Sequence, residues 1–262
     1  MSGGIGLSVI RTDQWLLEAY DRPLEICGNL SGLFNGADAS TIYDYLLLHG
    51  MYTPFTNGEK RIKRLQEKDV WGVVQQEAQL LRDMWEGPDI PIFIFPSDHT
   101  NEIMMEEFNG RSGLAFKDKL FLFLSEENEK EEIKSLLTHE YNHVCRLYHY
   151  PLQEDSYTLL DTIILEGLAE HAVRERYGED YLAAWTSLYP DEKVREMWET
   201  CFEPNRTILK SDRKHHQLLY GSSLGHKMAG YAVGYYLVKA YMERHRFTTK
   251  ELLSTESVRF LR

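Results

Sequence analysis

His139-Glu140-Tyr141-Asn142-His143 sets two imidazoles four residues apart, with a carboxylate directly after the first. On a helix, residues four apart sit one turn apart on the same face, so both rings can reach a single ion. Glu140 then flanks the ion without ligating it, placed to take a proton from a water that zinc has made acidic. That is the spacing of a zinc hydrolase with one ligand still to be found.

The arrangement works only if the segment is helical. From Glu129 to Tyr148 the residues Ile133, Leu136, Leu137, Tyr141, Val144, Leu147 and Tyr148 recur at three- and four-residue steps, the pattern of a helix with one buried face. Asn128 followed by Glu131 resembles a capping box, and Glu129, Glu131 and Glu132 put negative charge where the helix dipole favours it. Catalytic zinc usually keeps three protein ligands and an open position. Glu166 is the candidate third ligand, on a second periodic run from about Asp155 to Tyr177 that Gly178 would stop. The 166 − 143 = 23 residues from His143 allow one helix to end, turn at Pro151 and return antiparallel. Gly167 and Ala169 are small enough to let the two helices approach closely. Glu170, one turn past Glu166, suits a carboxylate that accepts the second ring N–H of His139 or His143; the alternative is a plain surface charge. His171 points about 100° away on the helix and is set aside.

At His139, Glu140, His143, Glu166 and Glu170 the sequence resembles the gluzincin group of zinc metallopeptidases, where HExxH is followed by a helix with a glutamate ligand and a second acid four positions on. More closely, HEYNHV paired with EGLAEHAV, and the later GYAVGYYLV, resemble the bacterial family of predicted zinc-dependent proteases labelled as regulators of a small heat-shock protein. The resemblance covers roughly Pro91 to Tyr241. It implies a zincin-like catalytic domain, zinc as cofactor and a cytoplasmic protein, and leaves the substrate open.

Of 262 residues, 43% are hydrophobic and 12% aromatic, enough for a substantial core. A net charge of −12 argues against nucleic acid as a partner, because phosphate binding needs clustered Lys and Arg. The run Lys60-Arg61-Lys63-Arg64-Lys68 reads as a solvated helix face. Met1 to Ile10 lacks a basic stretch leading into an apolar one, and no segment approaches eighteen uninterrupted apolar residues, so neither secretion nor a membrane is expected. Cys27, Cys145 and Cys201 lack metal spacing and fit reduced thiols in a cytosol.

Two β signals precede the metal helix: Pro91–Phe95 and, after Gly113–Phe116, the run Leu120–Leu124. Gly113–Phe116 is either an edge strand able to pair with a peptide or one arm of a plain hairpin around Lys117-Asp118-Lys119. Residues 58 to 86 read as helical, with Val70, Val73, Val74, Glu77, Ala78, Leu81 and Trp85 inward, and shorter helices lie near Asp13–Tyr20 and Ala39–His49. The expected fold is α+β: an N-terminal helical lobe or cap over residues 1–86, then a zincin-like domain over residues 87–262.

Peptide hydrolysis also needs a donor to the developing oxyanion. Tyr231 is the first choice, in Gly230-Tyr231-Ala232-Val233-Gly234-Tyr235-Tyr236, with Tyr235 and His226 ranked below it and core packing as the alternative for both tyrosines. The expected activity is zinc-dependent cleavage of a peptide or protein substrate, with Glu140 as general base. The competing reading is a zincin-fold regulatory or interaction module that turns nothing over. Oligomeric state is left open.

Overall fold

A computed structural model of the chain describes residues 9–221 and 225–262. Of the N-terminal segment read for a leader, Met1 to Ser8 lie outside the described residues. The chain is α+β and divides into two compact units, Met1–Val144 and Cys145–Arg262. The first holds α1 (Thr12–Ala19), α2 (Pro23–Gly28), α3 (Ala39–Leu48), α4 (Gly58–Glu67), α5 (Val70–Trp85), β1 (Ile92–Pro96), α6 (Glu102–Glu107), β2 (Ser112–Ala115), β3 (Leu120–Leu124) and most of α7 (Lys130–His149). The second takes the end of α7, then α8 (Leu159–Tyr177), α9 (Asp191–Met197), α10 (Arg213–Leu219), α11 (Ala229–His245) and α12 (Thr249–Leu252). Among the described residues no helix is long and apolar enough to cross a membrane.

The sheet runs in the order β1-β3-β2, with β1 parallel and β2 antiparallel to β3. All five positions of β1 and of β3 are buried, so both faces are covered, and the two strands read as unbroken apolar runs instead of alternating ones. The outer side of β1 is bridged by Val9 at Ile92, and Met51 bridges Ser97 just past the strand's end; Ile10 N–H reaches Ile92 O at 2.9 Å and Tyr52 N–H reaches Pro96 O at 3.0 Å. β2 lies on the other side of the sheet and is half-buried throughout. Phe116 N–H donates to Lys119 O at 2.9 Å, so β2 is both a hairpin arm and an outer strand.

All seven residues expected to face inward on α5 are buried. The single helix expected over 58–86 is instead two, α4 and α5, broken at Lys68-Asp69. Asp69 takes a left-handed conformation (φ 50°), which short polar side chains tolerate better than most. Gly72 makes room for it: a β-carbon there would lie 2.4 Å from Asp69 Oδ2. The break follows from that pair, which apolar periodicity does not register.

In the second unit α8 packs on α11 through glycine. A β-carbon on Gly167 would lie 2.3 Å from Gly234 O, and one on Gly234 would lie 1.8 Å from Ile163 O. Gly167 therefore serves the crossing with α11, where the sequence suggested the approach of α7. The start of α8 is also later than expected: Thr158 and Asp161 form a capping box, and Glu154–Ser156 is a separate short 3-10 turn. Gly178 ends α8 as expected, its N–H on Arg174 O at 3.0 Å.

Candidate metal centre

The metal helix begins on a network that fixes its first turn. Glu132 accepts from Glu129 N–H at 2.8 Å and from Asn109 Nδ2 at 2.6 Å, and forms an ion pair with Arg111. Burial pushes the Glu132 carboxyl up, but these donors together hold it below its ordinary value. The cap thus sits one residue later than the Asn128/Glu131 pair suggested. Asn128 is used elsewhere, its Oδ1 accepting from Ser125 N–H at 2.8 Å and its Nδ2 donating to Asn109 O at 2.8 Å. Further along, Tyr141 donates from its hydroxyl to Pro88 O at 2.7 Å and stacks on Trp85 with centroids 6.3 Å apart. From Leu137 to Arg146 every residue except His139 is buried, more than the single buried face read from periodicity; the expected Tyr148 is exposed.

His139 and His143 lie one above the other on α7, ring centroids 4.6 Å apart and planes at 84°. With Glu166 of α8 they form a group in which one donor atom from each residue lies within 4.8 Å of the others. Two ring nitrogens and a carboxylate oxygen are a donor set suited to zinc. Donors around one tetrahedral zinc stand about 3.3 Å apart, which lies inside the 4.8 Å limit of this group. His143 is buried, while His139 and Glu166 are half-buried, which leaves the group reachable from solvent.

Glu140 is buried and faces β2. A β-carbon built on Gly113 would fall 2.2 Å from Glu140 Cγ, 2.4 Å from Cδ and 2.6 Å from Oε1. The outer strand therefore passes Glu140 with only its backbone in the way. Sequence reading named Gly113 as the start of an edge strand and missed this contact. The available signal was a glycine inside a strand pattern, which marks close approach.

Glu170 is buried, and its Oε1 accepts from Ala183 N–H at 3.2 Å, so it is not the solvated surface charge of the alternative reading. His171, set aside on angular grounds, packs instead on α11: its Nε2 donates to Tyr235 O at 3.1 Å, and burial pushes its pKa down to about 4. Tyr231 is half-buried, with its ring 5.3 Å from Trp185 and 5.8 Å from Tyr220. Tyr235 lies on His171 and edge-on to Trp185, and burial raises its phenol pKa. His226 packs against Tyr189 at 5.6 Å.

A family model described as predicted Zn-dependent protease matches residues 70–262, a span containing every candidate above. Uncharacterized protein YjaZ of Bacillus subtilis (strain 168) is 41% identical over 258 residues, covering 97% of this chain and 98% of that protein. Uncharacterized protein YjfC of the same organism is 26% identical over 129 residues, 45% of this chain and 42% of that protein. No solved structure matches.

Proposed function

The chain belongs to the family of predicted Zn-dependent proteases, and on that premise we propose that it is a zinc-dependent peptidase of gluzincin type, built on a zincin-like frame and acting on a peptide or protein substrate. The observation that carries the reading is the donor group of His139, His143 and Glu166, with Glu140 beside it in sequence on the same helix. Three protein donors suit a zinc ion that keeps one position for water, whereas a purely structural site would normally close with four. Zinc held there would supply Lewis acidity and make its water a nucleophile near neutral pH.

The remaining roles fall to the chain's own residues. Glu140 takes the proton of the attacking water and passes it to the leaving amine, a general acid–base contribution of roughly 10² to 10⁴. Glu170 accepts the second ring N–H of a ligand histidine, fixing its tautomer and raising its basicity. Tyr231 donates to the oxyanion, since a phenol is a neutral donor at pH 7. The outer strand β2 pairs with the extended substrate through main-chain hydrogen bonds. Cys27, Cys145 and Cys201 are present as thiols, which fits a reducing compartment, and on this reading the chain is cytoplasmic.

Metal removal and return tests the reading. Purified chain is expected to carry one zinc, to cleave members of a quenched fluorogenic peptide library, to lose cleavage on dialysis against a chelator, and to regain it with one equivalent of zinc. Bound zinc without cleavage of any peptide would contradict it.

A further inference from the structure

We infer that Gly113 is a positioning residue for Glu140, its missing side chain fixing where the general base stands; the inference rests on the peptidase reading above. Glycine normally weakens a strand, because it loses more conformational entropy than other residues and offers no side chain to pack. Backbone conformation does not require it here, since Gly113 does not take a positive φ. Pairing does not require it either: Gly113 is in plain antiparallel register with Leu122. What fills the space of its β-carbon is the Glu140 side chain, whose Cγ, Cδ and Oε1 lie 2.2, 2.4 and 2.6 Å from that point.

All three atoms belong to the mobile end of one side chain, so the fold can absorb a methyl group by moving the carboxylate. Carbon atoms in ordinary contact stand about 3.5 Å apart, which sets the required displacement at about 1 Å. A shift of that size at a reacting group costs on the order of 10² in rate, while folding and metal binding lose little. Selective loss of turnover is thus the signature of this contact.

Gly113→Ala tests it, alone and combined with Glu140→Gln, on the library peptide that the wild type cleaves best. The expected result is a kcat lower by about 10², a KM within a few-fold of wild type, full zinc content and an unchanged thermal midpoint. In the Glu140→Gln background the same alanine is expected to change residual turnover by less than about threefold, because the group it displaces no longer acts as a base. Undiminished kcat in Gly113→Ala, or an equal loss in both backgrounds, would overturn the inference alone. Loss of fold or of zinc in Gly113→Ala would do the same, by assigning the glycine to packing or to the metal. A wild type without metal-dependent cleavage would overturn the peptidase reading and this inference with it.

Discussion

His171 lies flat on Tyr235, ring centroids 4.2 Å apart and planes within 8°, with its Nε2–H on the carbonyl of the same residue at 3.1 Å. Burial holds the imidazole neutral, its pKa lowered from 6.5 to about 4. The unfolded chain therefore binds this proton first as pH falls, so the His171 share of stability is whole above about pH 6.5 and is lost progressively towards pH 4. Between pH 7.5 and pH 5 that share amounts to about 2 kcal/mol. Urea denaturation at the two pH values should show the loss in wild type, and His171→Asn, which keeps an N–H donor, should show a smaller one. An unchanged pH difference in the variant would remove His171 from the account.

The crossing of α8 and α11 has no room for a methyl group at Gly234, where an added carbon would meet Ile163 O at 1.8 Å. Backbone cannot step aside as a side chain can, so Gly234→Ala is expected to cost more than about 3 kcal/mol or to abolish folding. Gly178→Ala is the contrast: nothing lies within 4 Å of the added carbon, but φ is +83°. With ψ at −173° this is an extended conformation almost confined to glycine, and the expected cost of the substitution is about 1–3 kcal/mol, from conformation alone. Denaturant midpoints of the two variants check the order.

Arg146, buried near the end of α7, donates to Leu252 O at 3.1 Å, to Leu253 O at 2.8 Å and to Ser257 Oγ at 3.4 Å. Ser257 in turn donates to Asp161 Oδ1 at 2.6 Å, while Asp161 Oδ2 completes the cap of α8 with Thr158. Burial lowers the guanidinium pKa to about 10, and the hydrogen bonds compensate for the buried charge. Arg146→Met keeps much of the stem and leaves the carbonyls without that donor, which should cost about 2–4 kcal/mol; Ser257→Ala should cost about 1 kcal/mol. Chemical denaturation at pH 7.5 would contradict this if the serine variant were the weaker of the two.

Ligand and supporting carboxylate are expected to separate in their effect on metal affinity. His143→Ala removes a direct donor and should abolish stoichiometric zinc binding, whereas Glu170→Gln should weaken it by about 10- to 100-fold. Competition against a chromophoric chelator measures both. Wild-type affinity in Glu170→Gln would return that residue to a packing role on Ala183.

How far the sequence anticipated the structure varied with the range of the interaction. Periodicity marked α7 almost to the residue and the buried face of α5, and the unbroken apolar runs marked β1 and β3, because burial against a core leaves its period in the chain. The group formed by His139, His143 and Glu166 was also legible, since ligand spacing on one helix and an acid on the next helix are local patterns. Contacts between distant residues were not. Gly167 could be recognised as small, but only the folded chain identifies its neighbour as Gly234. Asp69 and Gly72 broke a helix that apolar spacing alone made continuous. Glu132 took the capping role that the spacing of Asn128 and Glu131 suggested, because Asn109 and Arg111 arrive there from earlier in the chain.

The central claim is that Glu140 is the general base of a zinc peptidase, and Glu140→Gln tests it most directly when zinc content and peptide cleavage are measured on the same preparations. Gln keeps the size of the side chain and removes its ability to take a proton. The account predicts one zinc per chain in wild type and variant alike, with turnover of the best library peptide lower in the variant by roughly 10² to 10⁴. Equal turnover by the two zinc-loaded proteins would contradict it.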